Sequence, residues 1–374
     1  MKETTVAIAH DYLTQRGGAE KVVLALARAF PGSPIYTTLY DPEGTYPEFK
    51  GLDVRSSALN GVGYFRKSHR SALPILPFVS RAIMIDADVV VCSSSGWAHG
   101  FRTSGRKLVY CYSPARWLYQ TDAYLGDRAP LIRRMAARLL RGGLIRWDRR
   151  AASEAAEYLA ISSAVRDRIQ EAYGVDSKVV PAPHTVDVDG PLEAIDAVAG
   201  LKPSPYYLCV SRLLPYKNVN RIVEAFVGSG LNLVVVGTGP ELNRLNAIAG
   251  DNVTFLGGVS DPQLRWLYSE CAGLVAASYE DFGLTPIEAA AFGKPCAVLR
   301  WGGFLDTTAE GVNGVYFDEP EPTQILAAVR DLAAKEWDPQ QIEDHARKFG
   351  EEYFAAAIRR KVAELAEQLE LSRA

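Results

Sequence analysis

The sequence predicts an α/β protein built from two domains, each with a parallel β-sheet. Three observations support this prediction: a length of 374 residues, short apolar strands that alternate with helical stretches, and a Gly- and Pro-containing segment at 186–205. A chain of this length is long for one domain and sufficient for two. We therefore expect an N-terminal domain over residues 1–190, a second domain over 191–350 and a helix over 351–374.

Short apolar runs, several of them rich in β-branched side chains, predict the strands of both sheets. In the first domain these runs are residues 6–9, 35–38, 89–92, 108–111 and 158–161. In the second domain they are residues 207–210, 231–236, 253–255, 273–277, 296–298 and 314–317. Because helical stretches separate the strands, we expect parallel sheets whose binding sites lie at the carboxyl ends of the strands.

The composition is ordinary for a globular protein, with 48% apolar and 23% charged residues. No stretch approaches the roughly 20 apolar residues of a membrane-spanning helix. The N-terminus lacks the pattern of a signal peptide, which predicts a cytoplasmic protein. The five cysteines are scattered and none has metal-ligand spacing, so we expect buried free thiols and no metal site.

The two halves of the chain differ in charge. Residues 1–190 carry 25 Lys and Arg against 19 Asp and Glu, whereas residues 191–374 carry 16 against 25. Between Arg128 and Arg150, eight arginines accompany a single acid, Asp148, and apolar residues recur among them at near-helical spacing.

Two interpretations of the Arg128–Arg150 segment stay open. A basic amphipathic helix could lie on an anionic membrane surface, which would make the protein peripheral at the inner face of the membrane. Alternatively, the helix packs into its domain and its arginines are solvated, with Gly142 and Gly143 as a potential break. Nucleic acid is not an expected partner, because no nucleic-acid motif accompanies the cations.

The most informative motif is a pair of carboxylates, Glu280 and Glu288, at a predicted junction of strand, loop and helix. Pro286 suits the first turn of the helix that contains Glu288. Free backbone N–H groups at a helix start favour an anion such as a diphosphate, whereas a carboxylate accepts hydrogen bonds from hydroxyl groups such as those of ribose. An isolated pair at this spacing is more often two solvated acids. The residues that flank the pair therefore decide whether it is a binding motif.

The segment from Glu280 through Gly293-Lys294-Pro295 resembles the signature of retaining glycosyltransferases of family 4. That family has the GT-B fold, in which two Rossmann-like domains face an interdomain cleft and the last helix often crosses back to the first domain. The resemblance implies that Glu288 holds the nucleotide ribose and that Glu280 lies beside the donor sugar. The backbone that would face the diphosphate and the sugar belongs to Phe282, Gly283, Leu284 and Thr285.

Two cations, Arg212 and Lys217, lie five residues apart in the loop that follows strand 207–210. An Arg fork and a Lys point charge can clamp a diphosphate. In this order, upstream of Glu280, they resemble the donor-diphosphate site of the family, which implies that they stabilise the leaving diphosphate without a metal.

Further residues of the second domain follow strand ends. Gly237 opens a turn that lacks the third Gly of a dinucleotide fingerprint, and the resemblance places this turn near the nucleotide. Phe255 and Leu256 end the next strand. The resemblance implies that the backbone there contacts the base of the donor nucleotide.

In the first domain, His10 and Asp11 follow the first strand, and Gly17 and Gly18 open a helix. The glycine pair lets backbone approach a ligand closely or adopt a positive φ. The resemblance implies that this loop lies under the phosphates of the donor and beside the acceptor. His10 could act as a base or be packed at the strand end, and packing is favoured because a lone His is rarely diagnostic.

Tyr112 and Arg116 follow strand 108–111, in a segment that resembles the family closely and would contact substrate. Where related enzymes usually carry a His that contacts the donor sugar, this chain has Tyr112. A phenol can donate a hydrogen bond but is a poor base at neutral pH.

Together these features predict a retaining glycosyltransferase that uses a nucleotide sugar as co-substrate and needs no cofactor. GDP-mannose is the favoured donor and a UDP-sugar the other candidate, with a lipid-linked or polysaccharide acceptor. A nucleotide-sugar epimerase of the same fold is one alternative, although the ordered cations and carboxylates fit transfer better. A non-catalytic paralogue that binds a nucleotide sugar is another, favoured by Tyr112 and by Asp306, which stands where the family normally has Glu.

Overall fold

The computed structural model of the chain describes residues 4–73, 75–119, 131–184, 186–201 and 204–373, with the side chains of 69, 70 and 131–140 left out. Contacts divide the chain into two compact units. Unit 1 comprises Met1–Pro183 together with Glu351–Ala374, and unit 2 comprises His184–Gly350.

The division between the units comes a few residues before residue 190, the boundary expected from the sequence. A main-chain hydrogen bond ties the start of the connecting segment to unit 2. In this bond the His184 amide donates to the Phe349 carbonyl at 3.0 Å. Further along, the Arg265 side chain donates to the Pro191 carbonyl at 2.9 Å.

In the part of the chain that the structure describes, nine strands lie in unit 1. They are β1 Val6–His10, β2 Ile35–Thr37, β3 Val54–Ser56, β4 Met84–Ile85, β5 Val89–Ser94, β6 Arg102–Thr103, β7 Arg106–Cys111, β8 Glu157–Ala160 and β9 Lys178–Val179. Seven of them form a parallel sheet in the order β3-β2-β1-β5-β7-β8-β9, and β4 pairs with β6 separately. The five strands predicted for this half are confirmed, while the short β3 and β9 at the sheet edges were not predicted.

The helices of unit 1 connect these strands. The α-helices are α1 Gly18–Ala29, α2 Gly63–Lys67, α3 His69–Ala72, α4 Leu76–Ala82, α5 Arg116–Tyr119, α6 Leu131–Ser153, α7 Ser163–Tyr173 and the C-terminal helix Glu351–Arg373. Short 3-10 helices cover Pro47–Gly51, Ala58–Gly61 and Ala98–Gly100.

Helix α6 contains most of the arginine-rich segment and runs without a break through Gly142 and Gly143. Arg128 lies outside the described residues. Some of the described arginines hydrogen-bond within unit 1: Arg141 Nε donates to the Leu118 carbonyl and Arg149 Nε to the Ala172 carbonyl, both at 2.9 Å. Among the residues that the structure describes, no helix is both long and apolar enough to cross a membrane.

The single acid of that segment, Asp148, is buried and links α6 to the sheet. Its Oδ1 lies 3.0 Å from Nε2 of the buried His99, and its Oδ2 accepts a hydrogen bond from the Tyr119 hydroxyl at 2.9 Å. The Nδ1 atom of His99 lies 3.2 Å from Ser94 Oγ at the end of β5. This buried polar chain fixes the position of α6 against unit 1.

The described residues of unit 2 form a six-stranded parallel sheet in the order β12-β11-β10-β13-β14-β15. Its strands are β10 Tyr206–Val210, β11 Asn232–Val236, β12 Val253–Gly257, β13 Gly273–Ala276, β14 Cys296–Leu299 and β15 Gly314–Phe317. All six were predicted from apolar runs and are confirmed. The prediction of two α/β domains with parallel sheets is therefore confirmed.

The helices of unit 2 alternate with its strands. They are α8 Asp196–Ala199, the 3-10 helix Pro215–Lys217, α9 Val219–Phe226, α10 Leu242–Ile248, α11 Asp261–Glu270, α12 Leu284–Ala291, α13 Phe304–Thr307, α14 Pro322–Ala334 and α15 Pro339–Arg347. The continuous apolar character of the central strands follows from this arrangement, because both faces of a parallel sheet are normally covered by helices.

The C-terminal helix packs on unit 1 through apolar and polar contacts. Phe354 is buried and meets Tyr110 edge-on, with ring centroids 5.3 Å apart. Arg359 Nε donates to the Ala29 carbonyl at the end of α1, at 2.9 Å. The last helix of the chain is thus part of the core of the first unit.

We expect Phe354→Ala to lower the free energy of unfolding of unit 1 by about 3–5 kcal/mol, because it removes a buried aromatic side chain and leaves a cavity. Tyr353→Ala is the matched control, since the neighbouring Tyr353 side chain is 63% exposed. Urea unfolding measures both variants. Equal losses in the two would contradict the packing of this helix on unit 1.

Candidate functional site

Both sheets have a switch point, which is the place where the strand order reverses direction. Ligands of open α/β sheets bind there, outside the carboxyl ends of the strands. In unit 1 this point lies between β1 and β5, and in unit 2 between β10 and β13. The sequence places polar side chains after each of these four strands. The two units are therefore described in turn as two separate clusters.

In unit 2 a buried lysine meets a carboxylate at this point. Lys217 Nζ forms an ion pair with Glu280 Oε1, and Ser278 Oγ donates to the same oxygen at 3.2 Å. The Lys217 ammonium also lies over the Tyr216 ring, 5.0 Å from its centroid. Two groups predicted from separate motifs, 63 residues apart in sequence, are thus in direct contact.

The loop after β10 holds these groups by a tie to β13. Asn218 adopts a left-handed conformation with φ of 53° at the start of α9, and its Nδ2 donates to the Ala277 carbonyl at 2.9 Å. Arg212 is exposed, and its Nη2 donates to the Tyr216 hydroxyl at 3.1 Å. Asn218 was not among the predicted residues, although Asn is one of the few non-Gly residues that adopt this conformation readily.

Glu288 lies in the second turn of α12 and has a buried partner. The hydroxyl of Tyr268, on α11, donates to Glu288 Oε2 at 2.8 Å. Burial, followed by the neighbouring Glu288 charge, raises the pKa of Tyr268 well above its ordinary value, so this hydroxyl stays a donor. Tyr268 stacks on Phe292 with ring centroids 5.7 Å apart. No sequence pattern indicates this partner, because Tyr268 precedes Glu288 by 20 residues and lies on a different helix.

The loop between Glu280 and α12 is shaped by close packing. Gly283 precedes the helix with φ of 82°, a conformation that favours Gly. Phe282 is buried, whereas Leu284 and Thr285 are half-buried in the first turn of α12. The Gly303 amide donates to the Glu280 carbonyl at 2.9 Å, which holds the loop after β14 against the carboxylate loop.

The remaining predicted residues of unit 2 lie toward the β12 edge of the sheet. The Gly237 amide donates to the Gly257 carbonyl at 2.7 Å and so joins the ends of β11 and β12. Phe255 and Leu256 are half-buried within β12, the outermost strand on that side. Strand β11 separates β12 from β10, so these two residues lie farther along the sheet than the Lys217–Glu280 pair.

In unit 1, His10 is buried at the end of β1 and belongs to a chain of hydrogen bonds. Its Nδ1 lies 3.0 Å from both the carbonyl oxygen and Oγ of Ser93. A carbonyl can only accept, so Nδ1 carries a proton and donates it to Ser93. Ser93 Oγ continues the chain to the Tyr112 hydroxyl at 2.8 Å.

Tyr112 is held as a neutral phenol. Its hydroxyl lies 3.3 Å from the Ala19 carbonyl, to which it donates, and burial raises its pKa above the ordinary range. The residue that stands in place of the usual His therefore cannot serve as a base near neutral pH. It can fix the start of α1 by hydrogen bonding.

Asp11 is buried and all of its acceptor capacity is used. Its two oxygens accept four hydrogen bonds, from Ser95 N at 2.6 Å, Ser95 Oγ at 2.9 Å, Trp97 N at 2.8 Å and Ala98 N at 2.6 Å. A carboxylate offers about four lone-pair sites. Asp11 therefore organises the loop after β5.

The glycine loop of unit 1, Gly17 and Gly18, begins α1. Gly17 has φ of −139°, so a positive φ is not the reason for this glycine. A Cβ at Gly17 would lie 2.6 Å from Glu20 Oε2, and the glycine thus makes room for a buried carboxyl group. Burial raises the pKa of Glu20. Arg116 is half-buried at the start of α5.

Two family patterns match this chain. The pattern described as Glycosyltransferase Family 4 matches residues 16–189, and the pattern described as Glycosyl transferases group 1 matches residues 193–349. Each covers the body of one unit, and together they cover most of the sequence.

The chain belongs to glycosyltransferase family 4.

Two curated relatives align with this glycosyltransferase over most of their length. The GDP-mannose-dependent alpha-(1-6)-phosphatidylinositol monomannoside mannosyltransferase of Mycobacterium tuberculosis is 25% identical over 367 residues, covering 87% of this chain and 88% of that protein. The human alpha-1,3/1,6-mannosyltransferase ALG2 is 26% identical over 362 residues, covering 84% of this chain and 83% of that protein.

A solved structure shares the fold of the glycosyltransferase. The crystal structure of Anabaena HepE in complex with UDP superposes with a TM-score of 0.71 at 16% identity, covering 96% of this chain and 100% of that one. The GT-B fold is thereby confirmed.

We expect Gly303→Ala to destabilise unit 2 by about 1–3 kcal/mol, because the added Cβ would overlap the Phe282 backbone in the loop beside Glu280. Gly258→Ala is the control, since a Cβ there meets nothing within 4 Å. Thermal unfolding monitored by circular dichroism compares the two. A Gly303→Ala protein as stable as the Gly258→Ala protein would contradict the packing of this loop.

Proposed function

We propose that this glycosyltransferase moves mannose from GDP-mannose to a lipid-linked or polysaccharide acceptor with retention of the anomeric configuration. The observation that carries the proposal is the Lys217–Glu280 pair at the switch point of unit 2, with Glu288 on the adjoining helix. Support for mannose comes from the two aligned relatives, whose names specify mannosyl transfer.

In this proposal, Lys217 and Arg212 stabilise the negative charge that builds up on the leaving diphosphate. Lys217 is buried, and charges interact more strongly where water is excluded. Preorganised cations of this kind can lower the barrier by several kcal/mol. Because these two cations stabilise the charge of the leaving diphosphate, as a metal ion does in other enzymes, we propose a metal-independent reaction.

Glu288 would accept hydrogen bonds from the ribose hydroxyls. The Tyr268 hydroxyl already occupies one oxygen of this carboxylate and fixes its orientation. Glu280 would position the donor sugar, and the leaving diphosphate would help to deprotonate the acceptor hydroxyl on the same face of the sugar. The backbone from Phe282 to Thr285 would complete the donor site.

Unit 1 would bind the acceptor through the polar cluster of His10, Ser93 and Tyr112. For a lipid-linked acceptor the enzyme has to work at a membrane surface. We propose that it is a cytoplasmic protein that contacts an anionic membrane peripherally through α6, where Arg146 and Arg150 are exposed.

The base of the donor is tested by thermal unfolding with GDP, UDP and ADP. We expect GDP to raise the melting temperature, because a ligand at about 100 times its Kd adds about 2.7 kcal/mol of stability. Glu288→Ala should reduce this effect, while Glu336→Ala, an exposed acid on the same unit, should keep it. Stabilisation by UDP alone would contradict the proposed donor, and stabilisation by none would contradict the proposed donor site.

Transfer itself is tested with radiolabelled GDP-mannose and a total membrane lipid extract as acceptor source. We expect Lys217→Met to lower kcat by about 10²–10³-fold, because a preorganised charge on the leaving group is lost. Lys348→Met, which removes an exposed lysine of the same unit, is the control. Full activity of Lys217→Met, or a product with inverted anomeric configuration by proton NMR, would contradict the mechanism.

A further inference from the structure

Glu20 is a buried acid that no step of the proposed reaction uses. It is the third residue of α1, a helix of 12 residues, and is only 1% exposed. Its Oε2 has no hydrogen-bond partner among the described residues. Buried polar atoms without a partner are rare in folded proteins, so this one calls for a physical explanation.

The carboxyl group occupies the place where a helix normally attracts an anion. The carboxyl group lies at the N-terminus of α1, where the backbone N–H of Glu20 and the Gln15 side chain lower its pKa. Gly17 provides the space for Oε2, which lies 2.6 Å from the position that a Cβ would take. A protein carboxyl group is therefore built into a site whose dipole favours negative charge.

The groups that face Glu20 come from two strands of the sheet. His10 at the end of β1 lowers the pKa of Glu20, whereas the neighbouring Asp11 raises it. Tyr112, after β7, is a neutral phenol whose hydroxyl donates to the carbonyl of the preceding Ala19. The C-terminal helix meets α1 at its far end, where Glu351 pairs with Arg28. Burial is the largest influence and raises the pKa of Glu20.

We propose that Glu20 is a positioning residue that takes up a proton when the phosphate group of a substrate binds at the glycine loop of unit 1. This inference rests on the proposed function, which supplies the phosphate either from the nucleotide or from a lipid-linked acceptor. A phosphate beside an ionised carboxylate would be repelled, and protonation of Glu20 from solvent removes that repulsion. The neutral carboxyl group can then donate a hydrogen bond from the oxygen that now lacks a partner.

Proton uptake on binding is measurable without activity. Isothermal titration of GDP in two buffers of different ionisation enthalpy gives the number of protons bound, and a parallel titration uses glycerophosphoinositol as a soluble analogue of a phospholipid headgroup. We expect the wild type to take up a fraction of one proton with one of these ligands near pH 7. Glu20→Gln, which keeps the shape and loses the titration, should take up markedly less.

His10→Gln is the matched control, because an imidazole near a bound phosphate could also gain a proton. If the proton belongs to Glu20, the His10→Gln variant still takes up a proton, with its pH profile moved upward because His10 no longer lowers the pKa of Glu20, whereas Glu20→Gln loses the uptake. Circular dichroism confirms that both variants fold. Equal uptake in the wild type and Glu20→Gln, or binding of GDP and the headgroup analogue with no uptake at all, overturns the inference and leaves the proposed function standing. Failure of GDP to bind the wild type overturns the proposed function itself.

Discussion

The Lys217–Glu280 ion pair is the interaction on which the proposed donor site of unit 2 depends. A buried ammonium group is costly without a partner, and the loss of one member of such a pair leaves an uncompensated charge. The pair forms because β10 and β13 are neighbours in the sheet, which brings the loops after them together at the switch point. Asn218 ties the same two loops together, so the topology of unit 2 and the chemistry of its site are inseparable.

The corresponding point of unit 1 has a chain of hydrogen bonds in place of an ion pair. His10 at the end of β1 and Ser93 in β5 are joined by hydrogen bonds that extend to Tyr112, and Asp11 holds the loop after β5. The same strand order thus presents two different kinds of chemistry. The Lys217–Glu280 cluster is charged, as the proposed diphosphate site requires, whereas the cluster of unit 1 is joined by hydrogen bonds.

The strands of both sheets and the carboxylate motif were predictable, because each is a local pattern. The apolar runs match the central strands, and Glu280 lies in a loop with Glu288 in the following helix, as predicted. The partners of the site residues were not predictable, because they are distant in sequence: Tyr268 meets Glu288 only once α11 and α12 are packed. The edge strand β3 was not predictable, because its sequence, Val-Arg-Ser, lacks an apolar run.

The most direct test of the central claim is the affinity for GDP of the wild type, Lys217→Met, Glu280→Gln and the double variant. If Lys217 holds the diphosphate, Glu280→Gln releases the Lys217 ammonium from its ion pair and leaves the affinity for GDP unchanged or higher. Lys217→Met should lower the affinity for GDP by about tenfold or more. The double variant should recover part of that loss, because the unpaired Glu280 charge is gone. Equal affinities in all four proteins, or a double variant as weak as Lys217→Met, would contradict the account.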